Sequence, residues 1–176
     1  MAFWNKNKKK KEHQRITISK TEYGKAVLSY IIVQEGDKFK ELLEELELDV
    51  DFTEYLTFLQ YIVYVSQKIL ETRFSPAHAT EITISSFDGI VEYFDFIDDK
   101  KKLVLAELLK EQYTSLKEAI KFDIYKENEL HSLVEAFLAD IGVEKNFTRH
   151  NTFFMVFSDY IIYHTSTIFN EDISIV

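Results

Sequence analysis

A chain of 176 residues with 4 Gly, 1 Pro and no Cys is the length of one domain, and it excludes disulfides, thiolate metal centres and glycine-rich phosphate loops. Average usage would supply about 12 Gly and about 9 Pro, so few turns can need a positive φ; that disfavours sandwiches and barrels and favours an all-α chain. The formal net charge of −9 is uneven: residues 1–25 carry eight Lys/Arg against two Glu, leaving −15 on the remainder, a body that repels nucleic acid and anionic lipid and attracts basic surfaces.

In chain order, residues 1–18 read as a basic, disordered N-terminal tail. Its alternative role is a membrane-surface contact, in which Phe3 and Trp4 enter the interface while Lys8, Lys9, Lys10 and Lys11 meet anionic headgroups. Ala2 stands where N-myristoylation needs glycine. The short apolar run Ala26–Val33 is interrupted by Ser29 and Tyr30 and lacks a small-x-small cleavage site, so it is not read as a signal peptide.

An acidic helical domain is expected over residues 19–170. Ser19-x-x-Glu22 is a capping box. The helix after it places Tyr23, Ala26, Val27, Tyr30 and Ile31 on one face and is predicted to end near Gly36. Gly24 inside it suggests a close neighbour. A second short helix from Asp37 would align Phe39, Leu42, Leu43 and Leu46. Then come seven acids without a base: Glu41, Glu44, Glu45, Glu47, Asp49, Asp51 and Glu54. The bland reading is a solvated helix face and loop. The functional reading is a docking surface for a basic protein partner.

The most apolar helix is predicted over 52–74, started by Asp51-x-x-Glu54 and stopped by Ser75-Pro76. Its apolar side chains go nearly all round, as in a helix packed on several sides. The run is too short to span a membrane. Ser75 and Pro76 also read as N-cap and N1 of the next helix. The segment that follows has helical spacing at Phe87, Ile90, Val91, Phe94 and Ile97. Asp88-Gly89 between β-prone runs is a hairpin signal, so a small β-hairpin is the alternative there. Helices are expected over 99–122 (stripe Leu103, Ala106, Leu109, Tyr113, Leu116, Ile120), over 125–141 with a stop at Gly142, and over 148–169. Residues 171–176 are expected to fray. The fold expected is an all-α single-domain bundle of six or seven helices, with 52–74 and 148–169 meeting in one core.

The chain has no G-x-G-x-x-G, P-loop, G-x-S-x-G or H-E-x-x-H. His131 with Glu127 or Glu135, and His78 with Glu81, have helical spacing for half a metal site, but surface helix pairs have the same spacing. Asp159, Tyr160, Tyr163 and His164 on the last helix are a conceivable acid–base set without a second shell; the bland reading is satisfied polar groups at the core's edge. No cofactor, metal or catalytic residue is assigned. The expected function is a non-enzymatic protein-interaction module, of adaptor, inhibitor or immunity type. It would bind a basic partner through Glu41, Glu44, Glu45, Glu47, Asp49 and Asp51. The alternative is a membrane-peripheral protein held by its N-terminal tail. The expected location is cytoplasmic.

Overall fold

The computed structural model describes residues 16–46, 48, 51–144, 146–168 and 173–176. The chain is mostly helical, with one two-stranded parallel sheet. Its elements are β1 (Ile16–Ile18), α1 (Lys20–Glu22), a π-helical segment (Tyr23–Leu28), α2 (Ser29–Glu45), α3 (Phe52–Leu70), α4 (Pro76–Ile90), a 3-10 turn (Val91–Tyr93), α5 (Asp99–Ala119), α6 (Glu127–Asp140), α7 (Phe147–Thr167) and β2 (Ile173–Ile175).

Capping sets most of the boundaries. Ser19 and Glu22 form a reciprocal capping box, as do Asp51 and Glu54. Ser75 caps α4 with Pro76 behind it. Asp98 caps α5 and Asn146 caps α7. Helix α6 ends in a Schellman turn. Gly142, at φ 65°, donates its N–H to Ala139, and Val143 donates to Leu138.

Helix α3 is the centre. Every residue from Phe58 to Gln67 is buried, and α2, α4, α5, α6 and α7 all pack on it. Aromatic rings fill the space between α2, α3, α6 and α7. Phe39 stacks on Phe58 with centroids 3.9 Å apart and planes 5° apart. Phe137 meets Phe39, Phe58, Tyr61, Phe153 and Phe157 edge-on, the geometry that ring quadrupoles favour. The core tyrosines find acceptors for their hydroxyls. Tyr23 donates to the Ile168 carbonyl, Tyr61 to Asp140 and Tyr64 to the Ile120 carbonyl, each at 2.6 Å. Ser66 and Tyr160 share a hydrogen bond of the same length, which joins α3 to α7.

Asp88-Gly89 lies inside α4, in keeping with the helical spacing at Phe87 and Ile90, and the alternative hairpin does not form; Gly89 is there because its backbone presses on the Lys25 carbonyl and on Ser29, leaving no room for a Cβ. Three expectations are corrected. The first helix does not end near Gly36 but runs unbroken to Glu45, and Gly36 is small because Tyr55 and Leu59 pack against it. The C-terminal residues Ile173–Ile175 pair with Ile16–Ile18, in register Ile16 to Ile173 and Ile18 to Ile175. Ile18, Ile173 and Ile175 pack on the core, which gives the strands an apolar anchor. Finally, Tyr30 and Leu103 are exposed rather than on buried stripes. On α5 the buried stripe is Lys102, Ala106, Leu109 and Tyr113.

Candidate functional site

A cleft of about 380 Å³ opens between α2 and α7. Helix α2 contributes Glu35, Lys38, Phe39 and Leu42, at the i, i+3, i+4, i+7 spacing of one face. Helix α7 contributes Val156, Asp159, Tyr160, Tyr163 and His164. The four residues read from the sequence as a conceivable acid–base set thus share one wall, and the opposite wall supplies a second carboxylate, Glu35.

At the back of the cleft His164 Nε2 lies 3.1 Å from Glu35 Oε1. A carboxylate only accepts, so Nε2 carries the proton and donates. His164 Nδ1 is buried and has no hydrogen-bond partner. The Tyr160 ring lies 4.5 Å from the imidazole and the Tyr163 ring 4.8 Å from it, edge-on. From the rim, Lys38 Nζ donates to the same Glu35 oxygen at 2.6 Å and stands 6.0 Å from the centre of the Tyr163 ring. Burial alone would raise the Glu35 carboxyl. The hydrogen bonds and charges of His164 and Lys38 outweigh it and hold the group below its ordinary value. Burial pushes the Tyr160 hydroxyl well above its usual range, so it stays neutral.

This arrangement suits cation recognition better than acid–base catalysis. The imidazole nitrogen a base would use is sealed inside the protein, and the other is committed to Glu35. The cleft is lined by the Glu35 and Asp159 carboxylates, the Lys38 ammonium and the Tyr160 and Tyr163 rings, with Phe39, Leu42 and Val156 as its apolar part.

Of the predicted docking residues, Glu41, Glu44 and Glu45 are exposed towards the end of α2, whose last turn holds no basic residue. Asp51 is exposed, but its carboxylate is committed to capping α3, accepting from Thr53 N at 2.7 Å and Glu54 N at 3.1 Å. Glu47 and Asp49 lie outside the described residues, as do Phe3, Trp4 and Lys8, Lys9, Lys10 and Lys11. His131 Nδ1 lies 2.8 Å from His150 Nε2, and Glu127 is 3.9 Å from its other nitrogen. His78 and Glu81 are exposed on α4. Among the described residues no three His, Cys, Asp or Glu side chains are grouped to hold a metal ion, and no helix is long and apolar enough to cross a membrane.

Sequence reasoning missed Glu35 and Lys38. The available signal was the continuation of the helical spacing through Gly36, which aligns Glu35 with Lys38, Phe39 and Leu42. No protein-family model matches the chain, and the searches of curated proteins and of solved structures returned no significant match.

Proposed function

We propose that the chain is a non-enzymatic interaction module whose α2–α7 cleft receives a lysine or arginine side chain of a basic protein partner. The observation that carries this reading is Lys38. Its ammonium sits against Glu35 beside the Tyr163 ring, so the cleft already holds a cation of the proposed kind. The Lys38 side chain is 64% exposed, so it can leave for water at little expense. A partner's cation in its place would meet Glu35 and Asp159 with tyrosine faces beside it.

The acidic end of α2 supports the same reading. Glu44 and Glu45 lie in the last turn of α2, where the helix dipole is negative, and Glu41 stands just before it. Acids there are unfavourable by roughly 0.3–1 kcal/mol each at low salt. A basic partner would relieve that repulsion and be steered by the body's −15 charge.

The test is capture of a partner from source-cell lysate at low and high salt by the wild-type chain and by Glu41→Lys/Glu45→Lys. A stoichiometric basic protein that is lost at high salt and not retained by the variant supports the proposal. Salt-indifferent capture, equal for both chains, contradicts it.

A second reading rests on the aromatic and lysine-rich segment Phe3, Trp4 and Lys8–Lys11, which would hold the protein at an anionic membrane surface. Deleting residues 2–11 should then release it from anionic liposomes, and unchanged flotation would remove this reading.

A further inference from the structure

A second cavity, of about 570 Å³, opens between the π-helical segment, the end of α4 and the start of α5. Its volume is in the range of small-ligand sites. Lys25, Lys102 and Lys110 all line it, in a body that is otherwise strongly acidic.

The Lys102 and Lys110 cations are more deeply buried than the glutamates that pair with them. The side chains of Lys102 and Lys110 are 10% and 20% exposed, whereas Glu92 and Glu107, which pair with them, are 69% and 72% exposed. The Asp88 carboxylate is the inner counterion, at 2.6 Å from Lys110 and 3.4 Å from Lys25. Lys102 is poorly satisfied. Its ammonium has three donors and makes two contacts, to the Glu92 carbonyl and carboxylate, both at 3.3 Å. Good charge-assisted bonds are about 2.7–2.9 Å long. Lys102 thus lines the cavity with a nearly buried ammonium that has a donor to spare.

The backbone around the cavity is built for close approach. Gly89 brings α4 onto the π-helical segment at the Lys25 carbonyl, and π-helical turns recur at functional sites. Val91 and Ala106 form a buried apolar wall, and Tyr93 and Leu103 stand exposed at the mouth.

We propose that this cavity binds a small organic phosphomonoester, with the phosphate between Lys102 and Lys110 and an apolar or aromatic body against Val91, Ala106 and Tyr93. A dianionic phosphate matches two largely buried ammonium groups and displaces the carboxylates of Glu92 and Glu107 into water, where they are already largely exposed.

The test is titration of the isotope-labelled intact chain, followed by NMR, with phenyl phosphate, inorganic phosphate and benzyl alcohol in turn. Saturable shifts at Gly89, Val91 and Ala106 are expected with phenyl phosphate, at least tenfold tighter than inorganic phosphate, and none with benzyl alcohol. Lys110→Gln should weaken phenyl phosphate at least tenfold. Leu103→Asp changes an exposed rim residue without touching the core, and it should weaken binding too if the lysine variant fails to fold. Equal affinity for the two phosphates, shifts mapping elsewhere, or unchanged affinity in the folded variants would overturn the assignment.

Discussion

Glu35 and His164, 129 residues apart in the chain, meet at 3.1 Å and pin the middle of α2 to the end of α7. The contact is the polar back wall of the cleft. The apolar packing of Phe39 on Phe58 and Phe153 beside it holds the two helices at that separation.

This pair makes a pH prediction. The Glu35 carboxyl is held below its ordinary value of 4.5. A depressed carboxyl contributes stability that is present above the unfolded value and lost as pH falls through the folded one. Acidification below 4.5 should therefore lower the melting temperature of the wild-type chain. Glu35→Gln should flatten that dependence in a thermal scan across pH. A wild-type slope retained in the variant would show that other carboxylates cause it.

The glycines separate two physical effects. A Cβ at Gly24 would run into the Ile82 carbonyl, and one at Gly89 into the Lys25 carbonyl. Backbone cannot step aside as a flexible side-chain tip can, so either Ala substitution should cost roughly 1–3 kcal/mol by overpacking. Gly142 meets nothing within 4 Å but has φ 65°. Gly142→Ala should cost about 1–2 kcal/mol from its left-handed backbone alone. Denaturant unfolding of the three variants checks the order, and Gly24→Ala with wild-type stability would contradict the close packing of α4 on the π-helical segment.

A buried polar cluster links α3, α4 and α5. Gln67 accepts from Tyr113 and from Thr83, the latter at 3.3 Å, and donates to Glu71 at 2.6 Å. Gln67→Leu would strand the Tyr113 hydroxyl in the core and should cost about 1–3 kcal/mol. Adding Tyr113→Phe should recover part of that loss. A double-mutant cycle measures the coupling, and strictly additive losses would mean that the hydroxyl finds another acceptor.

Phe137 sits where the aromatic contacts converge, and Leu103 is 71% exposed. Phe137→Ala should destabilise by about 3–5 kcal/mol, and Leu103→Ala by no more than about 0.5 kcal/mol. Chemical denaturation of both tests whether the core is placed correctly.

Much of the helical framework was legible because its signals are local. Ser19, Asp51, Ser75 and Gly142 act where the spacing put them, and the all-round apolar pattern of 52–74 marked the central helix. What was not legible depends on partners distant in sequence. Gly36 and Gly89 look like punctuation, and only the neighbours Tyr55 and Lys25 reveal them as close-approach positions. Lys102 takes a buried place on α5 that a periodicity argument gives to Leu103, because its ammonium reaches Glu92. Three-residue strands such as Ile16–Ile18 and Ile173–Ile175 carry too little pattern to be found apart from each other. The candidate site was half legible. The α7 wall was read as a group, and the α2 wall was hidden by ending the helix one residue after Glu35.

The central claim is that the α2–α7 cleft recognises a cation. Its most direct test is an NMR titration of the labelled chain with an oligolysine peptide at low and high salt. The largest shifts should fall on Glu35, Lys38, Leu42, Asp159 and Tyr163, disappear at high salt, and weaken at least tenfold in Asp159→Lys/Glu45→Lys, which changes only exposed positions. Shifts spread evenly over the acidic surface, or an affinity indifferent to salt and to these substitutions, would contradict it.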